Sequence, residues 1–220
     1  MITSPEHIQI EYGVYVPSEA EAMTKLLAEA FSRHDPLAVA AGVTTAEFES
    51  FVRILAPSVA GEGLTIVARF AGTRELAGAL LTEDAASAAP EGLEQMGEKF
   101  APIADILGQL VTEYRAGQAP RHGEMLHLYL LGVSDRAARR GVGQQLIASC
   151  IENGARRGYR VAVAEATNKV SQHIFQKQGF TARAQRSYRD YLFQGRPVFQ
   201  TIAEHDGPIL MEKSLVPPAE

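Results

Sequence analysis

Between residues 6 and 16, apolar and polar positions alternate, with Ile8, Ile10, Tyr12, Val14 and Val16 spaced by two. A period of two predicts a strand. The period then lengthens. Met23, Leu26, Leu27, Ala30 and Phe31 share one helical face, which predicts a helix with its apolar stripe inward. Ser18 and Glu21 read as its capping box. His34-Asp35-Pro36 ends it, because a residue before proline disfavours helical backbone. Phe48, Phe51, Val52 and Leu55 predict a second helix from near Thr45. Residues 64–70 and 76–82 are β-rich and flank Gly72-Thr73-Arg74, the pattern of a hairpin. An Ala-, Pro- and Ser-rich loop over 84–92 leads into a helical stretch at 93–117, carried by Phe100, Ile103, Ile106, Leu107 and Leu110. This excursion, about 84–120, lies between two strands and could cover a pocket.

The second half repeats strand and helix. Glu124 to Val133 is a strongly apolar strand; a helix runs from about Gly141 to Arg157 and stops at Gly158; Tyr159 to Ala166 is the next strand. Thr167 or Asn168 caps a short helix that ends before Gly179-Phe180, and 181–193 and 208–215 read as the last two strands. The order predicts a single α/β (α+β) domain over 1–220, with a mixed sheet and helices on both faces.

Composition narrows the function classes. The chain has 220 residues, 46% of them hydrophobic, and a formal charge of −5. A duplex-binding protein normally carries a basic surplus, so nucleic acid is not the expected partner. No apolar run is long enough to span a bilayer, no secretory signal opens the chain, and the histidines lack zinc spacing. Cys150 is the single cysteine. It cannot form an intrachain disulfide, which fits a cytoplasmic setting, and its apolar neighbours predict core packing.

The candidate chemistry begins after Val133. A polar loop with Arg136, Arg139 and Arg140 leads through Gly141-Val142-Gly143 into a helix. The first amides of a helix have no internal partner, and the helix dipole favours negative charge there. Glycines let the backbone approach an anion closely. The loop alone predicts an anion at a helix N-terminus. A Walker A loop and a Rossmann fingerprint are both absent.

With its strand before and helix after, Ala138-Arg139-Arg140-Gly141-Val142-Gly143 resembles the Gln/Arg-x-x-Gly-x-Gly/Ala fingerprint of the GNAT superfamily of N-acetyltransferases. Ala138 stands where that family has Gln or Arg. Asn168, Ser171, Gly179 and Phe180 match a later segment of the same family. The tail Gln194-Gly195-Arg196-Pro197-Val198-Phe199, His205-Asp206-Gly207 and Met211-Glu212-Lys213 resembles insect-type arylalkylamine (dopamine) N-acetyltransferases, as does Phe31 to Leu37. The resemblance implies a GNAT-type, mostly antiparallel sheet with splayed central strands. It implies acetyl-CoA as co-substrate and direct acetyl transfer to a small-molecule amine in a ternary complex.

It also implies roles. Leu131, Gly132 and Val133 would border the pantetheine, with a β-bulge expected at Gly132 and an oxyanion donor near Val133. Arg136, Arg139, Arg140, Gly141, Val142 and Gly143 would hold the pyrophosphate; Asn168, Ser171 and Phe175 would complete the cofactor site. Asp35 stands at the proposed catalytic glutamate of the insect-type group and is the first candidate base. His127 and His205 are further proton acceptors, with His34 and Glu124 behind them, while Glu165 is expected to be solvated or paired. Phe175 replaces the tyrosine acid of many family members; Ser171 is the candidate proton donor, and Thr167 matches a second serine position. Two other readings stay open: a non-catalytic acyl-CoA-binding module and a protein N-acetyltransferase. Exposed sheet edges would permit a homodimer.

Overall fold

The computed structural model describes residues 9–216; Ile8 of the first predicted strand lies outside them. Strand β1 is Ile10–Val14, followed by a 3-10 turn at Pro17–Glu19 and helix α1, Ala20–His34. Glu19, not Ser18 with Glu21, closes the entry to α1. Its carboxylate accepts the Val16 amide at 3.0 Å and pairs with Arg69 at 2.6 Å, tying the helix start to the sheet. Helix α1 ends at the predicted place, but the chain starts a short helix α2, Pro36–Ala40, at once. Pro36 suits a first helical position because its missing N–H costs nothing there, and Asp35 caps it by accepting the Ala38 amide at 2.9 Å.

Helix α3, Thr45–Glu62, is capped by Thr44 with Glu47 and stops at Gly63, whose φ of 64° suits glycine. Strands β2 (Ile66–Phe70) and β3 (Leu76–Asp84) form the hairpin, and helix α4 (Ala101–Arg115) follows two 3-10 turns. Then come β4 (Met125–Val133), α5 (Val142–Arg156), β5 (Val161–Ala166), α6 (Lys169–Lys177), β6 (Thr181–Gln185) and β7 (Ile209–Ser214). Strand β6 is shorter than predicted. After Gln185 the chain leaves the sheet and buries Tyr188 and Tyr191 with Phe199, Ile202, Leu37 and Ile106. That burial outweighs further strand pairing.

All seven strands form one sheet in the order β1-β2-β3-β4-β5-β7-β6. Every pairing is antiparallel except β4 with β5. Helices α1 and α3 cover one face over Val67, Ala79, Leu81 and Leu130. Helix α5 covers the other, over Leu80, Leu126, Leu128 and Ala164, and Cys150 is buried there. None of the described helices is long and apolar enough to cross a membrane.

Two details of β4 shape the site. It pairs with β5 only from Met125 to His127, opposite Val161 to Val163, and beyond that the strands part. Its register against β3 slips where Leu81 faces Leu130 and Thr82 faces Leu128, so Tyr129 is the extra residue. The bulge therefore lies at Tyr129 and not at Gly132. Gly132 has another reason: a Cβ there would come within 2.9 Å of Leu27 and 3.2 Å of Ala30, so its absence lets α1 lie close on the sheet.

Candidate active site

A cleft of about 1240 Å³ opens where β4 and β5 part. Single small-ligand pockets hold roughly 300–1,000 Å³, so this one has room for two reactants. Its walls run from the turn before α5, past the strand gap, to an apolar chamber under Leu93, Met96, Phe100, Ile103 and Leu107. This roof is tied to the tail of the chain. Tyr191 donates to Asp105, and Arg186 reaches Gln109 at 3.1 Å and Glu113.

At one end, Arg139 and Gly141 both have positive φ, 61° and 76°. Both line the cleft with Val142, Gly143 and Gln144. A Cβ at Gly141 would meet only Gln144, at 3.9 Å, so the space beside it is open. Gln145 is the first residue of α5 whose amide reaches back, to the Gly141 carbonyl at 3.0 Å. Arg136 lies elsewhere. Its guanidinium sits 4.3 Å above the Phe70 ring and bonds Glu75 at 2.7 Å, and neither Arg136 nor Arg140 lines the cleft. The expected pyrophosphate roles for Arg136 and Arg140 thus have no support in their positions, and Arg139 is the arginine of this loop that lines the cleft.

Along the gap, Ser134 donates its amide to Ala77 of β3 at 2.9 Å. Strand alternation then turns the amides of Val133 and Leu131 the other way, into the gap. Leu131, Gly132 and Val133 all line it.

Asp35 lies at the base of the chamber and is buried. Besides the Ala38 amide it accepts the Thr167 hydroxyl at 2.6 Å. Thr167 is held in turn, its carbonyl accepting the buried Tyr188 hydroxyl at 2.8 Å. Burial raises the Asp35 pKa, and the Thr167 hydroxyl, the α2 amides and nearby His205 only partly offset that. A carboxylate held above its usual range is a better proton acceptor near neutrality.

The predicted strand histidine is not alone. His127 sits between two carboxylates, Nδ1 to Glu83 at 2.9 Å and Nε2 to Glu165 at 2.7 Å, with the Tyr129 ring stacked 4.9 Å away. Burial alone would lower its pKa, but the charges and hydrogen bonds of Glu165 and Glu83 outweigh that and raise it to about 10. Burial likewise acts against the Glu165 charge, and His127 more than restores it. His127 is thus an imidazolium at neutral pH, with no lone pair to offer. Glu165 is paired, as the sequence suggested; Glu83 was missed, because its register opposite His127 is known only once β3 and β4 are aligned.

The other candidates divide. His205 lines the cleft near Asp35, as does the largely exposed His34, which faces Asp135 at 3.7 Å. Glu124 stays outside, accepting the Arg121 amide. Asn168 caps α6 by accepting the Ser171 amide at 2.9 Å, and the Ser171 hydroxyl donates to the Asn168 carbonyl at 2.9 Å. Ser171 and Phe175 line the cleft, and Phe175 packs edge-on against Phe180 at 5.0 Å. Cys150 is no nucleophile: burial pushes its thiol pKa up to about 12. Among the described residues no cluster of His, Cys, Asp or Glu could hold a metal ion.

The family described as acetyltransferase (GNAT) domain matches residues 73–193. No curated protein sequence matches. Among solved structures, the C-terminal condensation domain of Ebony, in complex with β-alanyl-dopamine, superposes with a TM-score of 0.85 at 14% identity, covering 94% of this chain and 99% of that one. Arylalkylamine N-acetyltransferase 2 of Aedes aegypti gives 0.78 at 20% identity, covering 94% and 100%. A polyamine N-acetyltransferase of Drosophila melanogaster gives 0.74 at 20%, also covering 94% and 100%. At these identities the likeness concerns the fold.

Proposed function

The chain belongs to the GNAT acetyltransferase family, and from that premise we propose that it transfers acetyl from acetyl-CoA to a small primary amine. One observation carries the reading: the parting of β4 from β5, beside the glycine turn of α5, opens into the same cleft as Asp35. The amine and polyamine N-acetyltransferases of similar fold support an amine acceptor.

The residues at the gap fit coenzyme A. Open space beside Gly141, the free first amides of α5 and the Arg139 guanidinium would hold the pyrophosphate. Leu131, Gly132 and Val133 offer an unpaired strand edge to the pantetheine amides. Bound acetyl-CoA supplies a thioester carbonyl open to attack. An amide of Leu131 or Val133 facing the gap would donate to the oxygen as charge develops there. Asp35 takes the ammonium proton, directly or through water, and Thr167 and Ala38 hold its two oxygens in place. His205 lines the cleft near Asp35, where a positive charge would hold the Asp35 pKa down. Ser171 lines the cleft as the candidate proton donor toward the departing sulfur, but its hydroxyl donates to the Asn168 carbonyl and a thiolate can leave unaided.

The roof of Leu93, Met96, Phe100, Ile103 and Leu107 suits a compact amine better than a protein segment. The Asp35–Thr167 pair supports catalysis over mere acyl-CoA binding. The test is thiol release from acetyl-CoA with a panel of arylalkylamines, polyamines and amino acids. We expect release that depends on the amine; a flat rate across the panel, with acetyl-CoA still bound, would leave only a binding module.

A further inference from the structure

The Glu83–His127–Glu165 cluster is not used by the chemistry above. It spans β3, β4 and β5 at the point where β4 and β5 part. All three residues, and Tyr129 beside them, line the cleft. Each carboxylate gives one oxygen to the single imidazolium. Among the described residues, no donor bonds the second oxygen of Glu83, and none meets the Tyr129 hydroxyl. Arg115 is the other charged group at this end. It donates to the Ala85 carbonyl at 3.2 Å and forms an ion pair with neither carboxylate.

Acceptor oxygens at the end of an apolar chamber need donors from a ligand or from water. The surroundings favour a cation among possible donors. Tyr129, Phe51 and Phe100 form a continuous aromatic wall, with centroids 6.1 Å and 5.3 Å apart, and aromatic faces attract positive charge. Glu165 precedes Thr167 by two residues, roughly 7 Å of extended chain. A short alkyl chain can cover that span.

We propose that Glu83 and Tyr129, braced by His127 and Glu165, bind a second cationic group on the acceptor, so that the preferred substrate is a diamine or an amino-guanidine. The inference rests on the acetyltransferase reading of the cleft and names its substrate class. The imidazolium faces both carboxylates, and Arg115 adds positive charge on the Glu165 side, so Glu83 is the carboxylate with an oxygen open to a ligand.

The test compares putrescine with pentylamine, which has a methyl group in place of the second ammonium. Binding is followed by calorimetry on the full chain with coenzyme A present, and turnover by thiol release. A charge-assisted hydrogen bond contributes roughly 1.5–3 kcal/mol, so putrescine should be favoured about tenfold or more in both affinity and kcat/KM. In Glu83→Gln that ratio should fall toward one. A ratio near one in the wild type overturns the proposal, as does an unchanged ratio in a folded Glu83→Gln. If Glu83→Gln does not fold, the wild-type ratio and Tyr129→Phe decide. If neither amine is acetylated but putrescine binds selectively through Glu83, the cation site stands and the catalytic reading falls.

Discussion

At the α5 end of the cleft the groups come from one continuous stretch, Leu131 to Gln144, and much of what they offer is main chain. At the far end Asp35 and Thr167 meet across 132 positions, and Glu83, His127 and Glu165 arrive from three strands. A site made of backbone amides depends on φ angles and strand spacing, so most side chains there can vary. Ala138, in place of the family's Gln or Arg, illustrates this: Arg139 faces the cleft beside it. A site made of side chains depends on packing elsewhere. Tyr188 holds Thr167, Thr167 holds Asp35, and the α2 cap fixes the second Asp35 oxygen.

If the two ends act independently, substitutions should separate turnover from cofactor affinity. The largest effect is expected at Asp35→Asn. Asparagine caps a helix nearly as well as aspartate, so the fold should persist, while turnover falls about 10²–10⁴-fold, the usual worth of a general base. Acetyl-CoA affinity should hold. In the wild type, kcat/KM should rise with pH through an apparent pKa above the ordinary carboxylate range, because Asp35 must be deprotonated to act and burial raises its pKa. That limb should vanish in Asp35→Asn; its persistence would move the base elsewhere.

Gly141→Asp should do the reverse. Aspartate tolerates positive φ and the protein leaves room for its Cβ, so the effect comes from a negative charge beside the phosphates. Acetyl-CoA affinity should drop by at least about tenfold, with the melting temperature little changed. Unaltered affinity by calorimetry would refute the placement of the pyrophosphate. Ser171→Ala sharpens the boundary between the ends. Its hydroxyl and amide serve the α6 cap, so removal should cost about 0.5–1 kcal/mol of stability and leave the rate within a few-fold. A loss of a hundredfold in thiol release would instead make it the proton donor.

The contrast between the ends also explains what could be read from the chain. Periodicity located nearly every helix and strand, and the Gly-x-Gly turn marked the end of the cleft beside α5, because both depend on neighbours in sequence. Helix α2 escaped because five residues give too little periodicity. The family resemblance implies a bulge at Gly132, yet Tyr129 carries it and Gly132 serves the close approach of α1. Arg136 looked like a phosphate ligand from spacing alone; only the fold shows it over Phe70. The sequence offered His127 as a base. Its partners Glu83 and Glu165, 44 and 38 positions away, make it a cation.

The central claim is that donor and acceptor occupy one cleft together and that acetyl passes directly between them. Initial rates measured while varying acetyl-CoA and an accepted amine test it most directly. Double-reciprocal plots should give intersecting lines, as a ternary complex requires, which agrees with the burial of the single cysteine. Parallel lines would mean that the enzyme carries the acetyl group itself, and would contradict the account.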